Sequence, residues 1–220
     1  MATRLVDRLR EAIVSGEMAP GSKINLDRAR AAFGVSLSPL REALARLIGD
    51  GLVEFRDNRG YWVAAVGPGD LDEVLRLRDE FDLRALEFAI AMGDVNWESD
   101  VMRTLHTLNR TAHDGAAAAI WEAAHREFHM TLISGCGMPT LLSFCRGLLD
   151  RSDRYRRIFL REGEGGQTEI AQAAVARDTA KARALLAAQI RQVGEAVAPC
   201  LARPSASAVA AARETERAIP

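Results

Sequence analysis

The stretch Phe33–Val66, FGVSLSPLREALARLIGDGLVEFRDNRGYWVAAV, restricts the fold more than any other part of the chain. Gly34 is placed to end one short helix. Ser36 is placed to accept from the freed amides of the next, and Pro39 sits in that helix's first turn, where its missing N–H costs nothing. From Leu40 the apolar residues Leu40, Ala43, Leu44, Leu47 and Ile48 keep the spacing of a helix buried on one side. Arg41, Glu42, Ala45 and Arg46 are left facing solvent or a partner. Asp50-Gly51 stops the helix, and Leu52–Phe55 and Tyr61–Ala64 follow as short β-type runs around a turn that holds Arg59 and Gly60. A helix pair followed by a hairpin is a winged helix-turn-helix.

This part of the chain resembles the DNA-binding domain of the GntR family of bacterial transcription regulators. The matching pieces are LREAIVSGEMAPGSKI, FGVSLSPLREALARLIGDGLV and RGYWVAAV, which together span nearly all of residues 4 to 66. Two positions depart from the family's pattern: Leu37 stands where many members carry arginine, and Asp27 lies near a usually basic position. The resemblance implies a double-stranded DNA operator as partner. The helix from Ser36 to Gly49 is the element that enters a major groove, where its N-terminal side chains Ser36, Ser38 and Arg41 meet base edges. Arg59 and Gly60 at the wing tip let backbone and a guanidinium approach the minor groove or a phosphate. Arg28, on the short helix capped by Asn25, is a further phosphate candidate.

Composition permits this reading without establishing it. The net charge is −1, but residues 1 to 66 hold ten Lys or Arg against eight Asp or Glu, so the first part is weakly basic and the remainder acidic. Phosphate attraction depends on local clustering, so the motif carries the inference. Only 5% of residues are aromatic and alanine is abundant, which favours helix outside the wing. Cys136, Cys145 and Cys200 form neither a disulfide framework nor a CxxC knuckle, and are expected as buried thiols. The N-terminus lacks the apolar core of a signal peptide, and no apolar run is long enough to span a membrane, so a soluble cytoplasmic protein is expected.

Gly67-Pro68-Gly69-Asp70 breaks the strand pattern and marks a linker between a domain at 1–66 and a second at 71–198. The second domain reads as helices throughout: Leu71 to Gly93, Trp97 to about Ala112, Ala116 to Ser134, Thr140 to Leu160, Thr168 to Ala176 and Thr179 to Val197. Residues 199–220 read as a disordered tail. The expected fold is therefore mainly α, a winged helix-turn-helix followed by an all-helical bundle. Behind a GntR-like domain such a bundle resembles the FCD effector domain of the FadR subfamily. The pieces that carry the resemblance are HREFHMTLISGCGMPTLL and the spaced residues Ile170, Ala173, Arg177-Asp178, Ala182 and Leu185-Leu186.

His125 and His129, four apart, share a helix face and can chelate one cation. In the FCD group an acidic residue, a histidine four positions on and two later histidines typically hold a divalent metal. Here His125 takes the acidic place, and Gln167 and Gln189 fall at the two later positions. Amide oxygens are poor zinc ligands. Three alternatives stay open: a weakly held divalent metal such as zinc on His125 and His129, a polar pocket of the four residues that hydrogen-bonds a ligand directly, or a satisfied pair of core histidines with no ligand. Arg151, Arg154, Tyr155, Arg156 and Arg157 form a second cluster, with Arg78 on an earlier helix. Most of that run reads as solvated surface, with Arg78 and Arg154 as candidates for an anion, because a guanidinium fork matches a carboxylate. The family resemblance implies a small organic acid as effector.

Three functions fit these residues: a ligand-responsive regulator that binds its operator as a homodimer, an enzyme using the histidine pair for metal or acid–base chemistry, and an architectural DNA-binding dimer without effector. An enzyme needs a base or nucleophile with an orienting partner, and nothing near the histidines supplies one. The architectural reading leaves the polar pocket unused. The expectation is a regulator, a repressor rather than an activator, and not an enzyme.

Overall fold

The computed structural model describes residues 2–113, 117–160 and 165–202. Three helices, α1 (Ala2–Val14), α2 (Leu26–Phe33) and α3 (Leu37–Gly49), precede an antiparallel hairpin of β1 (Val53–Arg56) and β2 (Gly60–Val63). Leu5, Leu9 and Ile13 of α1 meet Leu40, Leu44 and Leu47 of α3 and Val53 and Val63 of the wing in one apolar core. Asn25 caps α2 by accepting from the Arg28 amide at 3.0 Å. Gly34 ends it in the left-handed region at φ 67°, which a residue without Cβ adopts freely. The wing is broader than the two expected strands. Residues 21–24 run alongside β2, with Ile24 N–H donating to the Tyr61 carbonyl at 2.8 Å and Val63 N–H to Ser22 at 2.9 Å.

Six helices follow: α4 (Pro68–Met92), α5 (Val95–Arg110), α6 (Ala118–Ser134), α7 (Pro139–Phe159), α8 (Gln167–Val175) and α9 (Thr179–Ala202). Their core gathers Leu86, Val101, Phe128, Leu132, Ile170, Leu186 and neighbours. The expected linker is shorter than its composition suggested. Pro68, Gly69 and Asp70 form the first turn of α4, with Pro68 at a position where helices tolerate proline. At the other end α9 runs through Pro199 to Ala202, so residues 199–202 of the expected tail are helical, and 203–220 lie outside the described residues. Ala116, the expected start of the third bundle helix, also lies outside them.

The two parts meet along α1 and α7. Arg10 of α1 lies 3.1 Å from buried Asp150 of α7 and 2.8 Å from Asp50 at the end of α3. Asp150 also pairs with Arg126 of α6, and Arg157 donates to Glu11 of α1 at 3.1 Å. Tyr155 Oη accepts from the Gly67 amide at 2.9 Å and donates to Asp70 at 2.7 Å. The chain between the two parts is thus held by the side chains of α7.

Candidate functional site

Three of the DNA-facing candidates, Arg41, Arg59 and Gly60, line one groove between α3 and the wing together with Phe55, Tyr61 and Lys23, whereas Arg28 lines a separate cleft beside α1, and Ser36 and Ser38 line neither. Arg41 and Arg59 are exposed, and among the described residues neither guanidinium has a hydrogen bond or ion pair. Their neighbours are spoken for. Arg30 pairs with Asp27 at 3.1 Å, while Arg56 pairs with Glu54 at 2.9 Å and lies over Trp62. Among the described residues this leaves Arg28 as the arginine of α2 that makes no ion pair. Ser36 occupies the N-cap position of α3, but its side chain makes no capping hydrogen bond, contrary to the expectation. Ser38 Oγ donates to Glu42 at 3.4 Å. The exposed Lys23 at this groove was missed, because nothing in its local sequence shows that residues 21–24 join the wing.

The second candidate site lies inside the bundle. His125 and His129 are buried on α6, and their Nε2 atoms are 3.1 Å apart, so one ring donates to the other. Trp121 stacks on His125 at 4.8 Å between ring centroids. Around this pair stand residues that spacing alone did not reveal. Glu122 and Asp153 each place a carboxylate oxygen within 4.8 Å of a His125 nitrogen. Arg156, 1% exposed, donates to Glu122 at 3.0 Å and approaches Asp153 at 3.4 Å. Its guanidinium also lies 5.4 Å from the Trp121 ring.

The α7 arginines therefore depart from the solvated surface expected of them. Arg156 is the one that faces the histidine side, and Arg154 turns the other way. Arg154 is buried against the chain entering α4, where it donates to the Ala64 carbonyl, which places it at the boundary between the two parts instead of beside His129. Arg151 pairs with Asp70 at the same boundary. Helical spacing alone cannot say which side of α7 meets the pocket.

Arg78 of α4 does lie near His129: both line a small cavity of about 10 Å³ with Asp82, Cys145 and Leu186. Arg78 donates to Asp82 at 2.8 Å and to Ser152 at 3.0 Å. Burial, above all, raises the Asp82 carboxyl out of the usual carboxylate range, against the pull of Arg78. Burial also pushes the Cys145 thiol up, so it is no thiolate. Gln167 and Gln189 are both buried. Gln189 donates its amide to the Gly165 carbonyl at 3.0 Å, and its Oε1 has no hydrogen-bond partner among the described residues. Cys136 and Cys145 are buried free thiols as expected, whereas Cys200 is half-buried.

The donor set partly fits a metal. Two imidazole nitrogens 3.1 Å apart have about the separation that two ligands take on one zinc ion. The carboxylates of Glu122 and Asp153 are both engaged by Arg156, and the amides are weak donors. The residues thus offer two good ligands where a closed zinc site needs four.

Comparison with known proteins agrees with this architecture. Residues 1–63 match the family model for bacterial regulatory proteins of the gntR family, and residues 73–192 match the FCD domain. The chain is 31% identical over 191 residues to the HTH-type transcriptional repressor GlaR of Escherichia coli strain K12, covering 81% of this chain and 87% of that one. It is similar in fold to E. coli McbR/YncC, with a TM-score of 0.73 at 23% identity over 87% of this chain and 93% of that one. A transcriptional regulator GntR from Rhodococcus sp. RHA1 gives a TM-score of 0.70 at 24% identity, covering 90% and 97%. Among the described residues no helix is long and apolar enough to cross a membrane. A winged helix-turn-helix followed by an all-helical bundle is what the two family models cover here, in that order: the chain belongs to the gntR family of bacterial regulatory proteins, as a member carrying an FCD domain.

Proposed function

We propose that this chain is a cytoplasmic, homodimeric repressor in which residues 1–66 bind the operator and residues 71–198 bind a small organic acid and dimerise. The observation that carries the effector reading is the buried pairing of Arg78 with Asp82 beside His129. An incoming carboxylate can exchange with Asp82 on the Arg78 fork, and burial, which disfavours the charged form of Asp82, opposes the hold that Arg78 has on it. The 10 Å³ cavity holds about one water, whereas small-molecule sites need several hundred Å³. Effector entry therefore has to separate α4, α6 and α7. Helix α7 carries Ser152 and Arg156 on the pocket side and Asp150, Arg151, Arg154 and Arg157 on the side that holds α1 and the inter-domain chain, so its displacement reaches the winged helix directly.

Screening carboxylic acids for a shift in the operator affinity of the full chain tests this. An active acid should lose its effect in His129→Ala and in Arg78→Ala, while operator binding without the acid persists. An effect undiminished by both substitutions places the effector elsewhere.

The metal reading follows from the same residues. A divalent ion such as zinc held by His125 and His129 alone is loosely bound. Protein purified without added metal should carry well under one equivalent by elemental analysis. One zinc per chain, retained through dialysis against a chelator, would contradict that.

Dimerisation is supported by Phe81 of α4 and Phe144 of α7, which stack at 6.1 Å between centroids while remaining 37% and 59% exposed. One winged helix offers a small footprint, and two half-sites read together multiply it. Sedimentation of the full chain at micromolar concentration should show a dimer, converted to monomer by Phe144→Arg. A wild-type monomer under those conditions removes this part of the reading.

A further inference from the structure

Leu37 opens α3 and is 39% exposed. It takes no part in the core of the winged helix, which begins on this helix with Leu40 and continues through Ala43, Leu44 and Leu47. It sits between Ser36 and Ser38 and one turn before Arg41, and residues four apart share a helix face. A large aliphatic side chain is thus presented from the N-terminal turn of the helix that this family inserts into the major groove, between the exposed Ser36 and Ser38.

A leucine can neither donate nor accept a hydrogen bond. In the major groove, guanine, cytosine and adenine present nitrogen and oxygen groups, and the apolar feature is the thymine C5-methyl. Packing Leu37 against a G·C edge would strip water from those groups without replacing its hydrogen bonds. Packing it on a thymine methyl removes apolar surface of both partners from water.

We propose that Leu37 is a specificity-determining residue that selects thymine at one position of each half-site through its C5-methyl group, beside the base pair reached by Arg41. The inference rests on the DNA-binding function of the family and names a contact that the fold match does not supply.

The test begins by selecting duplexes from a randomised pool with the full chain. Each thymine of the selected operator is then replaced, symmetrically in both half-sites, by deoxyuridine, which deletes only the methyl. One position should show a loss of about fourfold per methyl, or roughly fifteenfold for the pair. In Leu37→Ala that discrimination should vanish while the other positions behave as in the wild type. Leu37→Gln should move the selected base at that position from thymine toward adenine, which an amide reads bidentately. The proposal is overturned if no thymine position responds to deoxyuridine, or if Leu37→Ala keeps the same discrimination. A pool from which the wild-type chain enriches no duplex contradicts DNA binding itself, and the proposal with it.

Discussion

Replacing Arg156 with alanine should destabilise the folded chain by about 3–5 kcal/mol, the cost of breaking a buried ion pair and leaving its partner charged. Arg156 is 1% exposed and pairs with both Glu122 and Asp153, to which Arg157, less buried, is also attracted. Without it the two carboxylates, both close to a buried imidazole, lose the guanidinium that hydrogen-bonds them. Urea unfolding of the full chain measures the loss as a lower midpoint at unchanged slope. A triple substitution, Arg156→Leu with Glu122→Gln and Asp153→Asn, should recover most of it, because neutral groups of similar shape need no counter-charge. A loss below about 1 kcal/mol in Arg156→Ala, within the range of surface pairs, would mean that water reaches the cluster. The same substitution bears on regulation, since Arg156 and Asp153 belong to the helix that holds α1.

Arg41→Ala should weaken specific operator binding by about 1–3 kcal/mol for each half-site while leaving circular dichroism and the unfolding midpoint unchanged. The separation of the two effects follows from exposure. Among the described residues Arg41 makes no ion pair within the chain, so its removal costs the fold nothing. Fluorescence anisotropy on the selected operator at fixed salt gives the affinity, and the fixed salt matters because phosphate contacts scale with it. Unchanged operator affinity in Arg41→Ala would take this residue out of the interface and leave Ser36, Ser38 and Leu37 as the side chains that read bases.

Arg41 and Arg156 show two different degrees of legibility. For Arg41 the local pattern was sufficient: the stripe Leu40, Ala43, Leu44, Leu47 places position 41 on the outer face, and exposure of that face needs no knowledge of distant residues. Arg156 belongs to a run of charges on α7, and spacing alone made that run look like solvent-facing surface. Its burial depends on Glu122, 34 residues earlier on another helix, being in reach. The same holds for Arg154, whose acceptor is a carbonyl 90 residues away. A charged side chain tolerates burial only with a partner, and whether one exists is a long-range fact.

The sequence by itself determined the order of the helices and the hairpin, because helix periodicity, caps and glycine stops act within a few residues. It also determined the family of the chain, because the run VSLSPLREALARLIGDGLV combines those local signals with a conspicuous set of side chains at fixed spacing. The tertiary structure alone decided what surrounds His125 and His129, which face of α7 meets the pocket, and how firmly the winged helix is held to the bundle. The physical reason is that these properties arise from ionic and hydrogen-bonded contacts between α1, α4, α6 and α7, whose partners are set by packing. Local periodicity gives the face of each helix, but only the packed bundle brings Arg10 to Asp150 and Arg156 to Glu122.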